Sequence, residues 1–436
     1  MRIVHLVPGT GNFHCGACLR DHSLAKHIGV SSDHDMVLVP LYLPMVTDHE
    51  EMAEAPILLG GINLYLQQKA EIFRRTPRWL DRVLDSTVLL RRASDFAGMT
   101  SAHDLGTMTL SSFEGLDGHQ RKEWRRLLKW LRDEGKPDVV SLSNGLLTGV
   151  ARAIREEIGV PVIASFQGED SFLDGLPEPY GQRSWDAYSR AAEDVDWFVA
   201  PSEFAGRDMA SRLGLANGQW ELVGNGIDMA GIRMREGLPR VPVIGFLSRM
   251  CPPKGLDTVV EAFLILRRRM DDVELRIGGA MTPEDRDFVL ALKRRIAAAG
   301  AENAVRWLPN MTFKEKVSFL RSLTLLSVPS RFKEAFGLFL IEAMAAGVPV
   351  VQPRAGAFPE IVGNTGGGWI YDGEGAEALA AAWEEALSDD GEVSTRGKAG
   401  RSGVEARYTA GHMARGYASI VEKAVAKGVE RAARIG

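Results

Sequence analysis

The sequence has few cysteines, no excess of positive charge and no long apolar run, and each absence excludes a class of protein. Three cysteines in 436 residues, Cys15, Cys18 and Cys251, favour a reducing compartment over a disulfide-stabilised scaffold. A formal net charge of −5 offers no basic field to nucleic acid. No window of about 18 uncharged apolar residues predicts a transmembrane helix, and the start MRIVHLVPG is typical of a short strand rather than a signal peptide. We therefore expect a cytoplasmic protein that does not bind nucleic acid.

The length and the apolar pattern indicate two α/β domains. A chain of 436 residues exceeds one ordinary core. Short apolar runs, such as 2–8 and 241–248, alternate with helical patterns nearly throughout, which predicts parallel sheets with crossover helices. We predict two Rossmann-like doubly wound domains facing across a cleft, at 1–235 and 236–411. A helical insertion at about 45–118 interrupts the first domain and is a place for acceptor or partner specificity.

The segment 119–136 has two interpretations. Its apolar residues recur at helical spacing among seven Lys or Arg, and they are Trp124, Leu127, Leu128 and Leu131. A basic amphipathic helix of this kind could lie on an anionic inner membrane face as a peripheral contact. Alternatively, a crossover helix buries the stripe against the sheet, and the short turn to the next predicted strand favours this second interpretation.

The stretch 327–362 carries the strongest functional signal. It predicts a strand, a loop with Glu334, a helix over about 337–346 that contains Glu342, and a second strand. The backbone amides of Phe336, Gly337 and Leu338 open this helix, where unpaired N–H groups and the helix dipole favour an anion such as a diphosphate. The alternative is a buried crossover helix with two solvated glutamates.

Two loops add further candidates. Arg249 and Lys254 follow a predicted strand and could neutralise a leaving phosphate, or could equally be solvated charges. The loop 8–28 is rich in glycine and suits a phosphate or a sugar. A dinucleotide-binding fingerprint is disfavoured because no acidic residue ends the second strand. Cys15 and Cys18 beside His14 and His22 have no second Cys/His cluster to complete a metal shell, so packing is favoured over metal or redox chemistry.

Together these segments resemble the retaining glycosyltransferases of family 4, which have the GT-B fold. The resemblance covers nearly the whole chain and is strongest in 241–362. It is carried by the Glu-x7-Glu motif of Glu334 and Glu342, the loop SRMCPPKG with Arg249 and Lys254, and the loop GAFPEIV at 356–362.

The resemblance implies roles for individual residues. Glu334 would hold hydroxyls of the donor sugar, Glu342 the ribose hydroxyls, and Arg249 and Lys254 the diphosphate. The other implied donor-site residues are Phe336, Gly337, Leu338, Leu308, Asn310 and Gly16. The resemblance also implies that no catalytic metal or cofactor is needed and that a last helix, at about 412–436, returns to the first domain.

The sequence departs from the family at two positions. Gln167 stands where many members have a histidine, and an amide cannot act as a base near neutral pH. This favours front-face transfer, in which the leaving phosphate takes the acceptor's proton. Cys15 replaces the first glycine of a Gly-Gly pair. On the acceptor side the candidates are His14 and Asp170, and Asp170 could instead cap a helix.

The resulting expectation is a cytoplasmic, metal-independent, retaining glycosyltransferase. It would move a hexose-type sugar from a nucleotide-diphosphate sugar to a hydroxyl of a glycan, lipid or small molecule. A sucrose- or starch-synthase-like α-glucosyltransferase is one alternative. A non-catalytic nucleotide-sugar sensor is another, suggested by Gln167 in place of histidine.

Overall fold

A computed structural model describes residues 1–9, 16–42 and 102–435 of the chain. His14, Cys15 and most of the predicted insertion therefore lie outside the described residues. The chain divides into two compact units, one formed by Met1–Gly224 and Ala410–Gly436 and the other by Asn225–Thr409.

The first unit is built on a six-stranded parallel sheet with the strand order β2-β1-β3-β4-β5-β6. Its elements up to the second unit are β1 (Arg2–Val7), α1 (Gly16–Ser31), β2 (Asp35–Pro40), α2 (Ala102–Phe113), α3 (Arg121–Trp130), β3 (Val139–Leu142), α4 (Ala151–Glu157), β4 (Val162–Ser165), α5 (Glu169–Asp174), α6 (Tyr180–Ala192), β5 (Trp197–Ala200), α7 (Glu203–Leu213) and β6 (Trp220–Leu222).

The second unit has its own six-stranded parallel sheet, with the order β12-β11-β10-β7-β8-β9. Its elements are β7 (Val243–Leu247), α8 (Leu256–Arg267), β8 (Glu274–Gly279), α9 (Arg286–Ala298), β9 (Val305–Pro309), α10 (Phe313–Arg321), β10 (Leu325–Leu326), α11 (Leu338–Ala345), β11 (Val350–Pro353), α12 (Phe358–Thr365), β12 (Gly368–Tyr371), α13 (Gly375–Ala386) and α14 (Asp390–Arg407). The predicted α/β fold with two doubly wound units is confirmed.

The central strands are buried along their whole length because helices cover both faces of each sheet. All four residues of β3 and all four of β4 are buried, as expected for parallel strands between two helical layers. The C-terminal helix α15 (Ala410–Ile435) belongs to the first unit, where Met413, Tyr417 and Val421 pack in one apolar cluster with Ile3 and Leu24. Residues far apart in sequence thus complete one layer of the first unit.

Helix α3 decides between the two interpretations of 119–136. Trp124, Leu127 and Leu131 have no exposed surface, and Leu128 is 1% exposed, in the main core of the first unit. The same side chains cannot fill this core and enter a bilayer, so a membrane contact through the apolar stripe is wrong. Across the described ranges, no helix has both the length and the hydropathy needed to span a bilayer.

Candidate active site

Helix α11 begins as the sequence predicts, at the end of the loop that follows β10. Gly337 precedes the helix with a φ of 91°, and no side chain caps the first turn. The Leu340 N–H donates to the Gly337 carbonyl at 3.0 Å, and no side chain of the described residues accepts from the N–H groups before it. The positive end of the helix dipole favours an anion there. The side chain of Phe336 is buried and packs edge-on against Tyr408, with ring centroids 5.6 Å apart.

Glu334 and Lys254 contact each other directly. The Lys254 Nζ lies 2.5 Å from Glu334 Oε1, and the Ser330 hydroxyl donates a 2.7 Å hydrogen bond to the same oxygen. The ammonium group also lies 4.5 Å from the centroid of the Phe332 ring. Glu334 is 9% exposed, so this carboxylate is held in one place by a cation and a hydroxyl. A cation and a fixed acceptor thus share the loop that leads into α11.

The position of Glu334 depends on a close backbone approach at Gly356. Gly356 has a φ of +55°, and a Cβ there would lie 2.5 Å from the Glu334 carbonyl oxygen and 2.6 Å from its nitrogen. The next residue, Ala357, donates its N–H to the same carbonyl at 2.9 Å. Only glycine allows both this conformation and this contact. The GAFPEIV loop therefore supports the backbone of Glu334.

Glu342, in the second turn of α11, has a partner that the sequence did not indicate. Lys316 on α10 donates a 2.9 Å hydrogen bond to Glu342 Oε1, and both side chains are largely buried. A capping box of Thr312 and Glu315 starts α10 and so fixes the course of the helix that carries Lys316. Lysines are common in helices, so no motif could have identified Lys316. Only the packing of α10 beside α11 reveals it.

Arg249 pairs with different carboxylates from Lys254. Its Nε lies 3.0 Å from Asp285 Oδ2, and its Nη2 lies 3.2 Å from both Thr282 Oγ1 and Glu284 Oε2. The hydrogen bond to Asp285 raises the pKa of Arg249. Burial alone would raise the pKa of Asp285, but Arg249 and Thr282 lower it below its usual value. The guanidinium is 45% exposed, so one face of this cation remains open to solvent.

Asn310 joins the loops that follow β8 and β9. It has a φ of 54°, accepts the Met281 N–H at 2.9 Å and donates its side-chain amide to the Met281 carbonyl at 3.2 Å. Leu308 lies in β9, two residues earlier. Two of the residues that the resemblance implies for the donor site, Leu308 and Asn310, thus lie at the carboxyl end of β9, and Asn310 is hydrogen-bonded to the loop after β8.

In the first unit, Gln167 directly follows β4 and is held through its backbone. Its N–H donates a 2.7 Å hydrogen bond to Glu169 Oε2, and the Gly145 N–H donates to Glu169 Oε1 at 2.5 Å. Burial raises the pKa of Glu169. Asp170 lies in the first turn of α5, where burial raises its pKa and the Ser171 N–H favours its charged form. An acidic residue in a first turn looks like ordinary dipole pairing, so the sequence did not single out Glu169.

Gly16 is the first residue of α1, and a buried polar network lies beneath this helix. Asp21 lies 2.9 Å from Arg20 Nη2 and 3.2 Å from His5 Nε2, and it accepts a 2.5 Å hydrogen bond from Ser143. Burial opposes ionisation of Asp21, but Arg20 and His5 outweigh it and lower its pKa. Arg20 also donates to the Ser143 carbonyl at 3.0 Å. The start of α1 is therefore fixed to the end of β3.

Cys18 packs as an apolar residue in this region. It is buried in a small cluster with Val7 and Leu38. This is the packing alternative that the sequence favoured for Cys18. Cys15, its proposed companion, lies outside the described residues.

Two family models match consecutive parts of the chain. The model described as Glycosyltransferase Family 4 matches residues 88–230, and the model described as Glycosyl transferases group 1 matches residues 232–403.

Curated relatives match part of the chain. A GDP-mannose-dependent alpha-(1-6)-phosphatidylinositol monomannoside mannosyltransferase of Mycolicibacterium smegmatis is 30% identical over 256 residues, which are 55% of this chain and 64% of that protein. A D-inositol 3-phosphate glycosyltransferase of Corynebacterium glutamicum is 33% identical over 189 residues, 42% of this chain and 44% of that protein. The chain thus spans 64% and 44% of the length of these two relatives.

Solved structures share the fold over nearly the full length. Sucrose-phosphate synthase from Thermosynechococcus elongatus has a TM-score of 0.70 at 17% identity, covering 98% of this chain and 99% of that one. HepE from Anabaena, solved with UDP and glucose, has a TM-score of 0.68 at 16% identity, covering 97% and 100%. Such low identities establish the fold alone. The chain is thus similar to Glycosyltransferase Family 4 over one segment and to Glycosyl transferases group 1 over the next, and it shares its fold with these solved structures.

Proposed function

We propose that this protein transfers a sugar from a nucleotide-diphosphate sugar to a hydroxyl acceptor, with retention of the anomeric configuration. The observation that carries the proposal is the arrangement at α11, where Glu334 with Lys254 precedes the helix and Glu342 with Lys316 lies in its second turn. Two fixed carboxylates that can accept sugar hydroxyls flank an uncapped helix start that favours an anion.

The second unit is proposed to bind the donor. The diphosphate would contact the first N–H groups of α11 and the ammonium group of Lys254, with Arg249 adding a second cation. Glu334 would accept hydroxyl groups of the sugar, and Glu342 those of the ribose. The Leu308–Asn310 turn would border the base. Preorganised donors and cations of this kind stabilise the charge that develops on a leaving diphosphate, so the proposed chemistry requires no metal.

Retention is proposed because the first unit offers an amide, not a base, at the end of β4. The new bond would form between the acceptor oxygen and the anomeric carbon on the face from which the diphosphate leaves. The acceptor's proton would pass to the departing phosphate oxygen, and the electron pair of the broken bond would stay with that phosphate. Gln167 would stabilise the sugar through its side-chain dipole.

The relatives suggest which substrates to test. One is GDP-mannose-dependent and acts on a phosphatidylinositol monomannoside, another acts on D-inositol 3-phosphate, and HepE was solved with UDP and glucose. We therefore propose a hexose donor on GDP or UDP and a polyol or glycolipid hydroxyl as the acceptor.

The test combines binding and turnover. The purified full chain is screened for thermal stabilisation by GDP, UDP and ADP and by their sugars, because a ligand that binds only the folded state raises the melting temperature. Nucleotide release is then measured with and without the acceptors named above, and NMR of the product gives its anomeric configuration. EDTA should not reduce the rate.

Three results would contradict the proposal. Stabilisation by nucleotide sugars, with neither sugar transfer nor slow hydrolysis of the donor, would indicate a sensor rather than an enzyme. An inverted product would refute retention. Full activity in Glu334→Ala would refute the role of that carboxylate.

A further inference from the structure

Glu169 is a buried carboxylate that the proposed reaction does not use directly. It is 4% exposed, and among residues 1–9, 16–42 and 102–435 no lysine or arginine forms an ion pair with it. A buried charge without a cation is costly unless it is hydrogen-bonded. Its two oxygens instead accept the backbone N–H groups of Gly145 at 2.5 Å and Gln167 at 2.7 Å.

These two N–H groups belong to different turns at the same edge of the first sheet. Gly145 follows β3 and Gln167 follows β4, and the two strands are adjacent and parallel. One carboxylate thus bridges the turns that leave neighbouring strands. Because the Gln167 N–H is one of the two bonded groups, the bridge determines the backbone from which the Gln167 amide projects.

The hydrogen-bonded bridge that Glu169 makes is tightly packed where it meets Gly145. A Cβ at Gly145 would lie 1.7 Å from the Tyr188 hydroxyl and 3.0 Å from Glu169 Oε1. Tyr188 has no exposed surface, and its hydroxyl has no hydrogen-bond partner in the part of the chain that the structure describes. The turn after β3 therefore rests directly on α6 and on the carboxylate, with no room for a side chain between them.

We propose that Glu169 is a positioning residue for Gln167, which it holds in place by tying the turn after β4 to the turn after β3. The proposal rests on the proposed function, in which Gln167 acts on the sugar. A carboxylate is required because both of its oxygens accept hydrogen bonds. A glutamine offers one oxygen and one NH2 group, and the NH2 group would face a backbone N–H.

The groups around Glu169 show what holds its charged form. Burial raises the pKa of Glu169, the N–H groups of Gln167 and Gly145 oppose this rise, and the neighbouring Asp170 adds to it. Among the residues that the structure describes, the ionisable groups that act on Glu169 are Asp170 on α5 and Tyr188 on α6, and neither supplies a positive charge. The charged form is therefore held by hydrogen bonds alone. Replacing the carboxylate by an amide leaves one of the two backbone N–H groups without an acceptor and so releases the Gln167 turn.

The experiment is a double-mutant cycle with Glu169→Gln and Gln167→Ala in the full chain. Gln167→Ala removes the side-chain amide but keeps the backbone N–H. We expect Glu169→Gln to lower kcat roughly tenfold to a hundredfold, since small displacements of a reacting group have effects of this size. The donor KM should stay the same because the donor is proposed to bind the second unit. In the Gln167→Ala background, Glu169→Gln should have no further effect on kcat.

Two additional measurements complete the test. Tyr188→Phe is the matched control, because it alters the same buried region without touching either hydrogen bond, and its kcat should equal that of the wild type. Hydrogen–deuterium exchange of Glu169→Gln should be roughly tenfold faster at the Gly145 and Gln167 amides than in the wild type.

Each contrary outcome has a distinct meaning. Unchanged exchange at Gly145 and Gln167 overturns the bridge itself, whatever the activity. Multiplicative kinetic effects in the double variant overturn action through Gln167 but leave the proposed transferase intact. Absence of turnover in the wild type overturns the proposed function, and with it the catalytic purpose of the bridge.

Discussion

The replacement of Gly356 by alanine tests how the structure supports Glu334. The substitution adds one methyl group where the backbone has a φ of +55° and where Glu334 main-chain atoms would lie 2.5 Å and 2.6 Å from the new Cβ. Both atoms belong to the backbone, so no side-chain rotation can relieve the overlap. The loop that carries Glu334 must therefore move.

The expected magnitude follows from two contributions. The left-handed conformation costs a residue with a Cβ about 1–2 kcal/mol, and forced overlap in a packed region costs about 1–3 kcal/mol. We expect a total loss of about 2–5 kcal/mol for the second unit, which corresponds to a melting temperature lower by roughly 4–20 °C. Displacing Glu334 should also remove the charged hydrogen bond proposed between this carboxylate and the donor sugar, and so weaken nucleotide-sugar binding by about tenfold or more.

The assay compares Gly356→Ala with Gly363→Ala. Gly363 lies within α12, and a Cβ there would meet nothing within 4 Å. Alanine should stabilise this helix by about 0.5–1 kcal/mol. Differential scanning calorimetry measures the melting temperatures, and titration calorimetry measures the Kd of the nucleotide diphosphate and its sugar. If both variants had the same melting temperature and the same nucleotide-sugar Kd, the close approach of Gly356 to Glu334 would be refuted.

Three other predictions concern the two carboxylates, the core and the pH dependence. Glu342→Ala should weaken the binding of nucleotide diphosphate and nucleotide sugar alike by about tenfold, whereas Glu334→Ala should weaken only that of the nucleotide sugar; equal effects of both variants on the free nucleotide would contradict the assignment. Trp124→Ala should lower the free energy of unfolding by about 3–5 kcal/mol because the side chain is fully buried. The control Lys129→Ala breaks an exposed pair with Asp133 and should lower it by less than about 1 kcal/mol. A Trp124→Ala variant that is as stable as the wild type but fails to bind anionic vesicles would contradict the place of Trp124 in the core. Because the pKa of Glu169 is raised in the folded state, its contribution to stability is fully present below its ordinary pKa of 4.5 and is lost as the pH rises above that value. The wild type should therefore lose stability relative to Glu169→Gln between about pH 4 and pH 7, so the melting temperature of the variant minus that of the wild type should rise. A fall in this difference would contradict the raised pKa.

Local patterns were sufficient to predict the fold class and part of the candidate site. The alternation of buried strands and helical segments predicts parallel sheets, because a strand between two helical layers is apolar throughout. Glu334, the helix start and Glu342 lie within nine positions of one another, so their spacing along one loop and one helix is readable from the sequence. The order of the strands within each sheet is not, because it depends on which crossovers pack together.

Other features depend on contacts between distant segments. Whether the stripe of α3 faced a membrane or a core could not be read from its periodicity, since both environments accept the same apolar face. Lys316 and Glu342 are 26 residues apart, and no motif connects them. Arg249 and Lys254 share one loop, yet they pair with carboxylates on different loops, Asp285 and Glu334.

The sequence by itself thus determined the two parallel sheets, the start of α11 and the two carboxylates around it, because periodicity and helix-end chemistry act over a few neighbouring residues. Only the tertiary structure decided which cation lies beside each carboxylate and that Glu169 bridges the turns after β3 and β4. The physical reason is that ion pairs and buried hydrogen bonds depend on distances in space and on exclusion of water, and chain order specifies neither.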